Sequence, residues 1–178
     1  MAIAILPLMS VSEQILQDLE EELGNIFLSK IDILASLKSL PDDLYDKDRG
    51  QYDARKVVTH LKQASPGSEK TLAIGNMDLF VEGMNFVFGA AEKSGRTGLI
   101  SLYRLDQRFY GKSSSYDLLS ERAVKEAVHE LGHIFGLDHC KNKWCVMAFS
   151  NDVVSVDQKT KFFCEDCREN VRAALCKS

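Results

Sequence analysis

Three of the four histidines in the chain lie within the stretch HELGHIFGLDHC, residues 129–140. His129 and His133 are four residues apart, so on a helix their side chains lie one turn apart on the same face. Two imidazoles in this arrangement can bind one zinc ion through neutral ring nitrogens. Gly136 favours the left-handed turn that ends a helix, and His139 can then return as the third ligand. Three protein ligands leave a fourth tetrahedral position open for water, which is typical of a catalytic zinc.

Glu130 follows the first histidine and points about 100° around the helix, so its carboxylate can lie beside the metal without binding it. From there it could take a proton from water activated by zinc and pass that proton to a leaving amine. This chemistry is the hydrolysis of a peptide bond. The alternative is a helix whose histidines are ordinary core or surface residues. The combined spacing of both histidines, Gly136 and His139 disfavours that alternative.

All five cysteines of the chain follow His139. Four of them form two pairs, Cys140 with Cys145 and Cys164 with Cys167. Four thiolates suit a closed, tetrahedral structural zinc site, and four unrelated thiols are the alternative. Adjacent residues of an extended segment point to opposite sides, so His139 and Cys140 can serve two different metals. Cys176 is left over and is predicted to be a packed thiol.

The histidine helix needs a sheet to lie on, and hydrophobic periodicity predicts one. Strands are predicted at residues 2–8, 26–36, 71–75, 85–91 and 98–105. The first helix is predicted to begin at a capping box formed by Ser10 and Glu13 and to end at Gly24. The second is predicted to run from a cap at Asp53 to the turn at 65–67. Two further helices are predicted from Ser120 to about Phe135 and over 164–176. This order predicts an α/β or α+β domain with a mixed sheet.

The same pattern divides the chain into two predicted parts. Residues 1–136 form an N-terminal subdomain with the mixed sheet and the active-site helix. Residues 137–178 form a small C-terminal subdomain that carries the third histidine and the cysteines. The second part lacks a clear hydrophobic period, so we expect it to depend on metal for order.

Composition excludes some classes of partner. The chain has 178 residues, 45% of them hydrophobic, and a net charge of −4. It contains no block of Lys or Arg, so neither a nucleic-acid nor an anionic-membrane surface is expected. The apolar opening, MAIAILPLM, is too short to span a bilayer and lacks the features of a signal peptide, so it is interpreted as a buried strand. We expect a cytoplasmic monomer, in whose reducing compartment clustered cysteines bind metal.

The stretches HELGHIFGLDHC, CVM and CEDC together resemble the archaemetzincins, a branch of the metzincin zinc peptidases. That branch has the signature H-E-x-x-H-x-x-G-x-x-H-C-x4-C-x-M, a spacer, and C-x-x-C. DLFVEGMNFVFGAA and LISLYRL also look like this family, so the resemblance covers most of the chain. It implies a metzincin-like twisted, mixed sheet with an antiparallel edge strand, two zinc ions, and a peptide or protein substrate.

The resemblance also assigns residues. It implies that His129, His133 and His139 bind the catalytic zinc with Glu130 as general base, and that Cys140, Cys145, Cys164 and Cys167 bind the structural zinc. Met147 resembles the Met-turn residue, which forms an apolar floor beneath the zinc histidines. Residues 85–89 resemble the edge strand to which an extended substrate adds as an antiparallel neighbour.

Two positions depart from the family pattern. The spacer between Met147 and Cys164 is one residue shorter, which a loop should tolerate. Phe149 stands where some metzincins carry a tyrosine that hydrogen-bonds the oxyanion, so another group must stabilise that charge or the rate falls.

Two other functions remain open at this point. One is a zinc-binding interaction protein with a weak or vestigial peptidase site, and the other is a cysteine-zinc nucleic-acid binder. Residues 140–178 contain seven Lys or Arg against five Asp or Glu, which gives little support to nucleic-acid binding. Glu130 favours an enzyme, because a pure binding site needs no general base. Arg122 and Glu126, near the histidine face, are predicted to be solvated or ion-paired.

Overall fold

The computed structural model describes residues 2–64 and 70–176. The strands are β1 (Ile3–Pro7), β2 (Ile31–Ile33), β3 (Tyr45–Asp46), β4 (Gln51–Asp53), β5 (Lys70–Gly75), β6 (Leu79–Phe80), β7 (Gly89–Ala91) and β8 (Thr97–Ser101). The helices are α1 (Glu13–Phe27), α2 (Ala54–Ala64), α3 (Tyr116–Ile134), α4 (Val153–Gln158) and α5 (Glu165–Leu175), with short 3-10 turns at Asp42–Leu44 and Gln107–Tyr110. No helix among these residues has both the length and the apolar content needed to cross a bilayer.

A five-stranded sheet in the order β2-β1-β5-β8-β7 forms the centre of the fold. Its first four strands are parallel, and β7 pairs antiparallel with β8 at one edge. A second, three-stranded sheet has the order β3-β4-β6. The predicted mixed sheet with an antiparallel edge strand is therefore confirmed.

Helices cover both faces of the five-stranded sheet. Ile3 and Ile5 of β1 pack in one cluster with α1 and α3, whereas Leu6 packs in a second cluster with α2. This division follows from the two-residue period of a strand, which sends alternate side chains to opposite faces. Because both faces are buried, β1 and β5 are apolar almost throughout. The resulting layers place α3 on one face of the sheet and α2 on the other.

The first helix is longer than predicted. It passes through Gly24, runs to Phe27, and ends at Leu28 in the left-handed conformation, with φ 50°. Its N-cap is Ser12 rather than Ser10. A glycine inside a helix costs only about 1 kcal/mol, and the buried ring of Phe27, which packs against Phe135, offsets that cost. The strand predicted at 26–36 is correspondingly reduced to β2.

Strands β7 and β8 are also shorter than predicted. The strand expected at 85–91 is only Gly89–Ala91. Val87 N–H donates to Leu79 O of the second sheet at 3.0 Å, whereas the Phe88 carbonyl still accepts from Ser101 N–H of β8 at 2.8 Å, so the chain leaves β8 before Phe88. The edge strand is thus β7, and its expected position at 85–89 was wrong. The strand expected at 98–105 is Thr97–Ser101, after which Leu105 N–H donates to Leu102 O in a turn.

The predicted helix starts were correct in part. Asp53 caps α2 by accepting a hydrogen bond from the N–H of Arg55 at 3.0 Å, as expected. Helix α3 begins one turn before Ser120, and its cap is Ser115, whose hydroxyl accepts from Leu118 N–H. The predicted last helix is confirmed as α5, whereas α4 was not predicted. The turn predicted at 65–67 lies outside the described residues, and the division after residue 136 stays a prediction.

Candidate active site

Helix α3 supplies the first two histidines of the site. Its core face consists of Val124, Val128, Leu131 and the following Phe135, all buried as predicted. The helix ends at Ile134. Gly136 then adopts φ 95°, and its N–H donates to the carbonyl of His133 at 2.9 Å. This left-handed turn reverses the chain and returns His139 to the helix, as the sequence predicts.

The three imidazoles converge. Each offers a ring nitrogen, and these three atoms lie within 4.8 Å of one another. The ring centroids of His129 and His139 are 5.3 Å apart, and those of His133 and His139 are 4.9 Å apart. The arrangement thus brings together residues from the helix and from the segment beyond its turn.

Hydrogen bonds fix which nitrogen faces the centre of this cluster. Nδ1 of His129 donates to Val146 O and Nδ1 of His133 donates to Leu137 O, each at 2.8 Å. A proton on Nδ1 leaves Nε2 of each neutral ring with a free lone pair. The two Nε2 atoms face each other at 3.1 Å. Nitrogens that bind one tetrahedral zinc are about 3.3 Å apart, so the histidines fit a zinc ion.

The electrostatic surroundings favour neutral rings. Burial lowers the pKa of His129 well below its usual value, and the nearby Lys159 lowers it further. Burial is also the main cause that lowers the pKa values of His133 and His139. A neutral imidazole is the form that binds a metal, so these shifts agree with the ligand geometry.

Glu130 lies beside the histidines and against the edge strand. The residue is only 5% exposed. A Cβ atom added at Gly89 would lie 2.7 Å from its Oε1 and 2.6 Å from Leu99 O. Burial raises the pKa of Glu130 well above its usual value, the neighbouring Glu126 raises it further, and Lys159 opposes both. Only glycine at position 89 leaves room for this carboxylate.

A cavity of about 360 Å³ opens beside the histidines and Glu130. One side of it is the edge strand β7, whose other edge has no partner strand among the described residues. Val81, Met84 and Phe86 also line this cavity, and their side chains are apolar. We call this cavity the cleft. An open strand edge such as that of β7 is a place where an extended peptide can add as a further strand.

Helix α3 carries two buried side chains that form ion pairs. Lys159 Nζ is 2.9 Å from Glu126 Oε1, with side-chain exposures of 1% and 5%. The two atoms attract as charges, although the oxygen accepts no hydrogen bond from a described residue. Arg122 binds Asp157 through two hydrogen bonds of 2.7 Å each. Glu126 and Arg122 are therefore ion-paired, and they are buried rather than solvated.

Met147 lies beneath α3, fully buried. A Cβ atom added at Gly132 would lie 2.3 Å from the Met147 sulfur. The glycine of HELGH therefore makes room for the thioether directly under the helix that carries His129 and His133. The Met147 carbonyl also accepts a hydrogen bond from Cys140 N–H at 2.9 Å, which ties the segment after His139 to Met147.

The four paired cysteines form a second cluster. Their sulfur atoms lie within 4.8 Å of one another, and the Cys140 and Cys164 sulfurs are 3.8 Å apart. Sulfurs on one tetrahedral zinc are about 3.8 Å apart, so these thiols fit a zinc ion. Burial raises the pKa values of Cys145 and Cys167, whereas the N–H of Cys167 lowers that of Cys164. All thiols are free, and Cys176 is exposed rather than packed.

Comparison with known proteins identifies the family. Residues 2–173 match the sequence profile of peptidase family M54. The archaemetzincin of Methanocaldococcus jannaschii is 39% identical over 177 residues, covering 97% of this chain and 93% of that protein. The chain belongs to peptidase family M54. It is a zinc metallopeptidase, and its predicted resemblance to archaemetzincins is confirmed.

Solved structures agree with the M54 fold. The crystal structure of archaemetzincin from Methanopyrus kandleri superposes with a TM-score of 0.88 at 34% identity, covering 99% of this chain and 96% of that one. A zinc-dependent peptidase from Methanocorpusculum labreanum superposes with a TM-score of 0.87 at 30% identity, covering 95% and 99%. These comparisons confirm the predicted fold class.

Sequence reasoning missed two residues of this M54 site. Gly89 lies against Glu130, and Lys159 lies close enough to His129 to lower its pKa. The glycine in FGAA signals a close approach, but the sequence alone does not name the partner. Lys159 follows a helix that was not predicted, and a single lysine in a polar stretch carries no signal of burial.

Proposed function

We propose that the chain hydrolyses peptide bonds with Glu130 as general base, His129, His133 and His139 as ligands of the catalytic zinc, and Met147 as the apolar floor beneath them. The observation that carries the proposal is the pair of free Nε2 atoms facing each other at 3.1 Å, with the Glu130 carboxyl in the same cleft. Zinc held there would supply a Lewis acid that polarises the scissile carbonyl and makes water acidic enough to react near neutral pH.

The residues of the chain perform the other parts of the reaction. A substrate peptide lies along the free edge of β7, where main-chain hydrogen bonds orient it. Glu130 accepts a proton from the attacking water and then donates it to the leaving nitrogen, so that the released amine is neutral. The packing of Glu130 against Gly89 keeps its carboxyl beside the substrate strand. The Nδ1 hydrogen bonds of His129 and His133 hold both rings in the ligand orientation.

We also propose that Cys140, Cys145, Cys164 and Cys167 hold a second, structural zinc, which gives two zinc ions per chain. The 3.8 Å separation of the Cys140 and Cys164 sulfurs supports this assignment. The metal would join the segment after His139 to α5 and so steady the third histidine. Free, clustered thiols are typical of the reducing cytoplasm, which is the compartment we propose.

The decisive experiment is the substitution Glu130→Gln. Because an amide cannot take up the proton, we expect cleavage of a peptide library to fall by about a thousandfold or more. The zinc content should not change, because Glu130 is not among the clustered ligand atoms. The matched control is Glu169→Gln on the exposed side of α5, which should leave cleavage and zinc content as they are.

The same experiment separates the enzyme from its rival, a zinc-binding interaction protein with a vestigial site. If the zinc-loaded wild type cleaves no peptide in the library, the rival is favoured. If Glu130→Gln retains cleavage at the wild-type rate, another group is the base and the assignment of Glu130 is wrong.

A further inference from the structure

The charged side chains around β7 occur in oppositely charged pairs. They line the cleft and a smaller adjoining cavity of about 260 Å³. The pairs are Lys62 with Glu92 at 2.5 Å, Lys93 with Asp138 at 2.5 Å, and Lys159 with Glu126 at 2.9 Å. Among the described Asp, Glu, Lys and Arg residues that line these cavities, only Glu130 and Arg55 have no ion-pair partner. Glu130 has a proposed catalytic role, and Arg55 has none.

Arg55 lies where a bound peptide would pass. It belongs to the first turn of α2, is exposed, and lines both cavities. Ala90 and Ala91 of β7 line both cavities with it. Because α2 covers the opposite face of the sheet from α3, Arg55 borders the edge strand from the side away from the histidines.

We propose that Arg55 binds a carboxylate of the substrate peptide, so that the enzyme prefers substrates with an acidic group at one side of the cleft. This inference rests on the proposed peptidase function. A guanidinium offers a planar fork of donors that matches a carboxylate. The other cations of the cleft already face a carboxylate, so an incoming acidic group finds its partner in Arg55.

The position of Arg55 also limits which substrate side chains it can contact. In an extended peptide, successive side chains point to opposite faces. On the edge of β7, one set of alternate side chains points towards α2 and Arg55, and the other set points towards α3. An acidic preference at one position should therefore be absent at the two positions next to it.

The test is a set of peptides, blocked at both ends, in which Glu or Gln occupies each position near the scissile bond in turn. We expect the zinc-loaded wild type to show a kcat/KM about tenfold higher for Glu than for Gln at one position, as for a single exposed charge-assisted contact. Arg55→Gln should reduce this ratio to about one, and Arg55→Glu should invert it. A second comparison uses one neutral peptide with either a free or an amidated C-terminus. A preference for the free form would identify the terminal carboxylate, rather than a side-chain carboxylate, as the ligand of Arg55.

The matched control is Lys56→Gln, which removes one exposed positive charge from the same turn of α2 but does not line the cleft. It should keep the wild-type ratio of Glu to Gln. If Lys56→Gln lowers the ratio as much as Arg55→Gln does, the effect is general attraction and the proposal is overturned.

Binding measured on the Glu130→Gln variant separates this proposal from the peptidase mechanism. Fluorescence anisotropy should give a dissociation constant at least about fivefold lower for the Glu or carboxylate peptide than for its neutral match, and Arg55→Gln should abolish the difference. Such a difference supports the role of Arg55 even if no peptide is cleaved. Equal binding and equal cleavage of the two peptides overturn it, while cleavage itself would still support the peptidase.

Discussion

The histidine cluster and the cysteine cluster are adjacent in sequence at residues 139 and 140, yet they differ in how they present their ligand atoms. Three histidine nitrogens face a cleft, with His139 exposed at its rim. Four sulfurs face one another, with Cys145 and Cys167 buried in the main core. Three ligands in an open site suit chemistry, whereas four in a closed site suit structure. Ligand number and exposure, more than distance along the chain, therefore separate the two proposed roles.

The two clusters are nevertheless joined. Cys140 N–H donates to Met147 O at 2.9 Å, and Met147 packs against Gly132 in the turn of α3 between His129 and His133. Residues 139–147 therefore touch both clusters. Substitutions and treatments that change one cluster alone would show how far the two sites are independent.

The largest effect should come from partial removal of metal. We expect a chelator to abolish cleavage while far-UV circular dichroism stays unchanged, because the histidine site is open to solvent and the cysteine site is closed. Atomic absorption would show the first zinc lost together with activity. Loss of fold in step with activity would contradict the proposed difference between the sites.

The substitution Cys167→Ala tests the closed cysteine site. It removes one buried sulfur from the cluster. Loss of a structural metal lowers the free energy of unfolding by more than a typical substitution does, here by about 4 kcal/mol or more. We expect the melting temperature to fall by about 10 °C or more. The control is Cys176→Ala, which removes the exposed fifth thiol and should change little. Equal melting temperatures for the two variants would refute a structural zinc.

Gly89→Ala tests the open site alone. The added Cβ would collide with Glu130 Oε1 and Leu99 O, so the carboxyl and the edge strand must separate. A displacement of about 1 Å costs up to about a hundredfold in rate, and we expect kcat to fall by about ten- to a hundredfold with zinc content unchanged. Gly24→Ala is the control, because its Cβ would meet atoms no closer than 3.6 Å. A fall in zinc content instead of kcat would show that Gly89 supports the metal and not the base.

The smallest effect is expected from Phe149→Tyr. The Phe149 ring lines the cleft, 5.0 Å from the His139 ring between centroids. A hydroxyl there could donate to the developing oxyanion, but a half-exposed side chain is poorly held, so we expect kcat to rise only about threefold. Stability should not change, because the residue is 49% exposed. A lower kcat would show that the apolar ring itself serves the substrate.

Local spacing was enough to predict both clusters. His129 and His133 share a helix face, Gly136 ends that helix, and the C-x-x-C pair lies at the start of α5, all within short stretches of sequence. The core face of α3 followed from its period in the same way. Relations between distant segments were not predictable. Gly89 meets Glu130, and Lys159 meets Glu126, through tertiary packing that no local pattern encodes.

The errors in the fold have the same cause. Gly24 predicts a helix end, but packing of the Phe27 ring extends α1 by a further turn. The apolar run at 85–91 predicts one long strand, yet the chain divides it between two sheets by the bond from Val87 to Leu79. Hydrophobic periodicity and composition indicate that a segment is buried. How much of it forms a strand depends on its pairing register with the neighbouring strands.

Among the described residues the outer edge of β7 has no partner strand, and such an open edge carries a risk of aggregation. Any open strand edge is a template for aggregation, because other extended chains can pair with it as readily as a substrate does. Here that edge is only three residues long, Gly89–Ala91, and carries small side chains. So short a template offers a self-associating copy few backbone hydrogen bonds. The short length of β7 therefore limits self-association of the enzyme at the cleft.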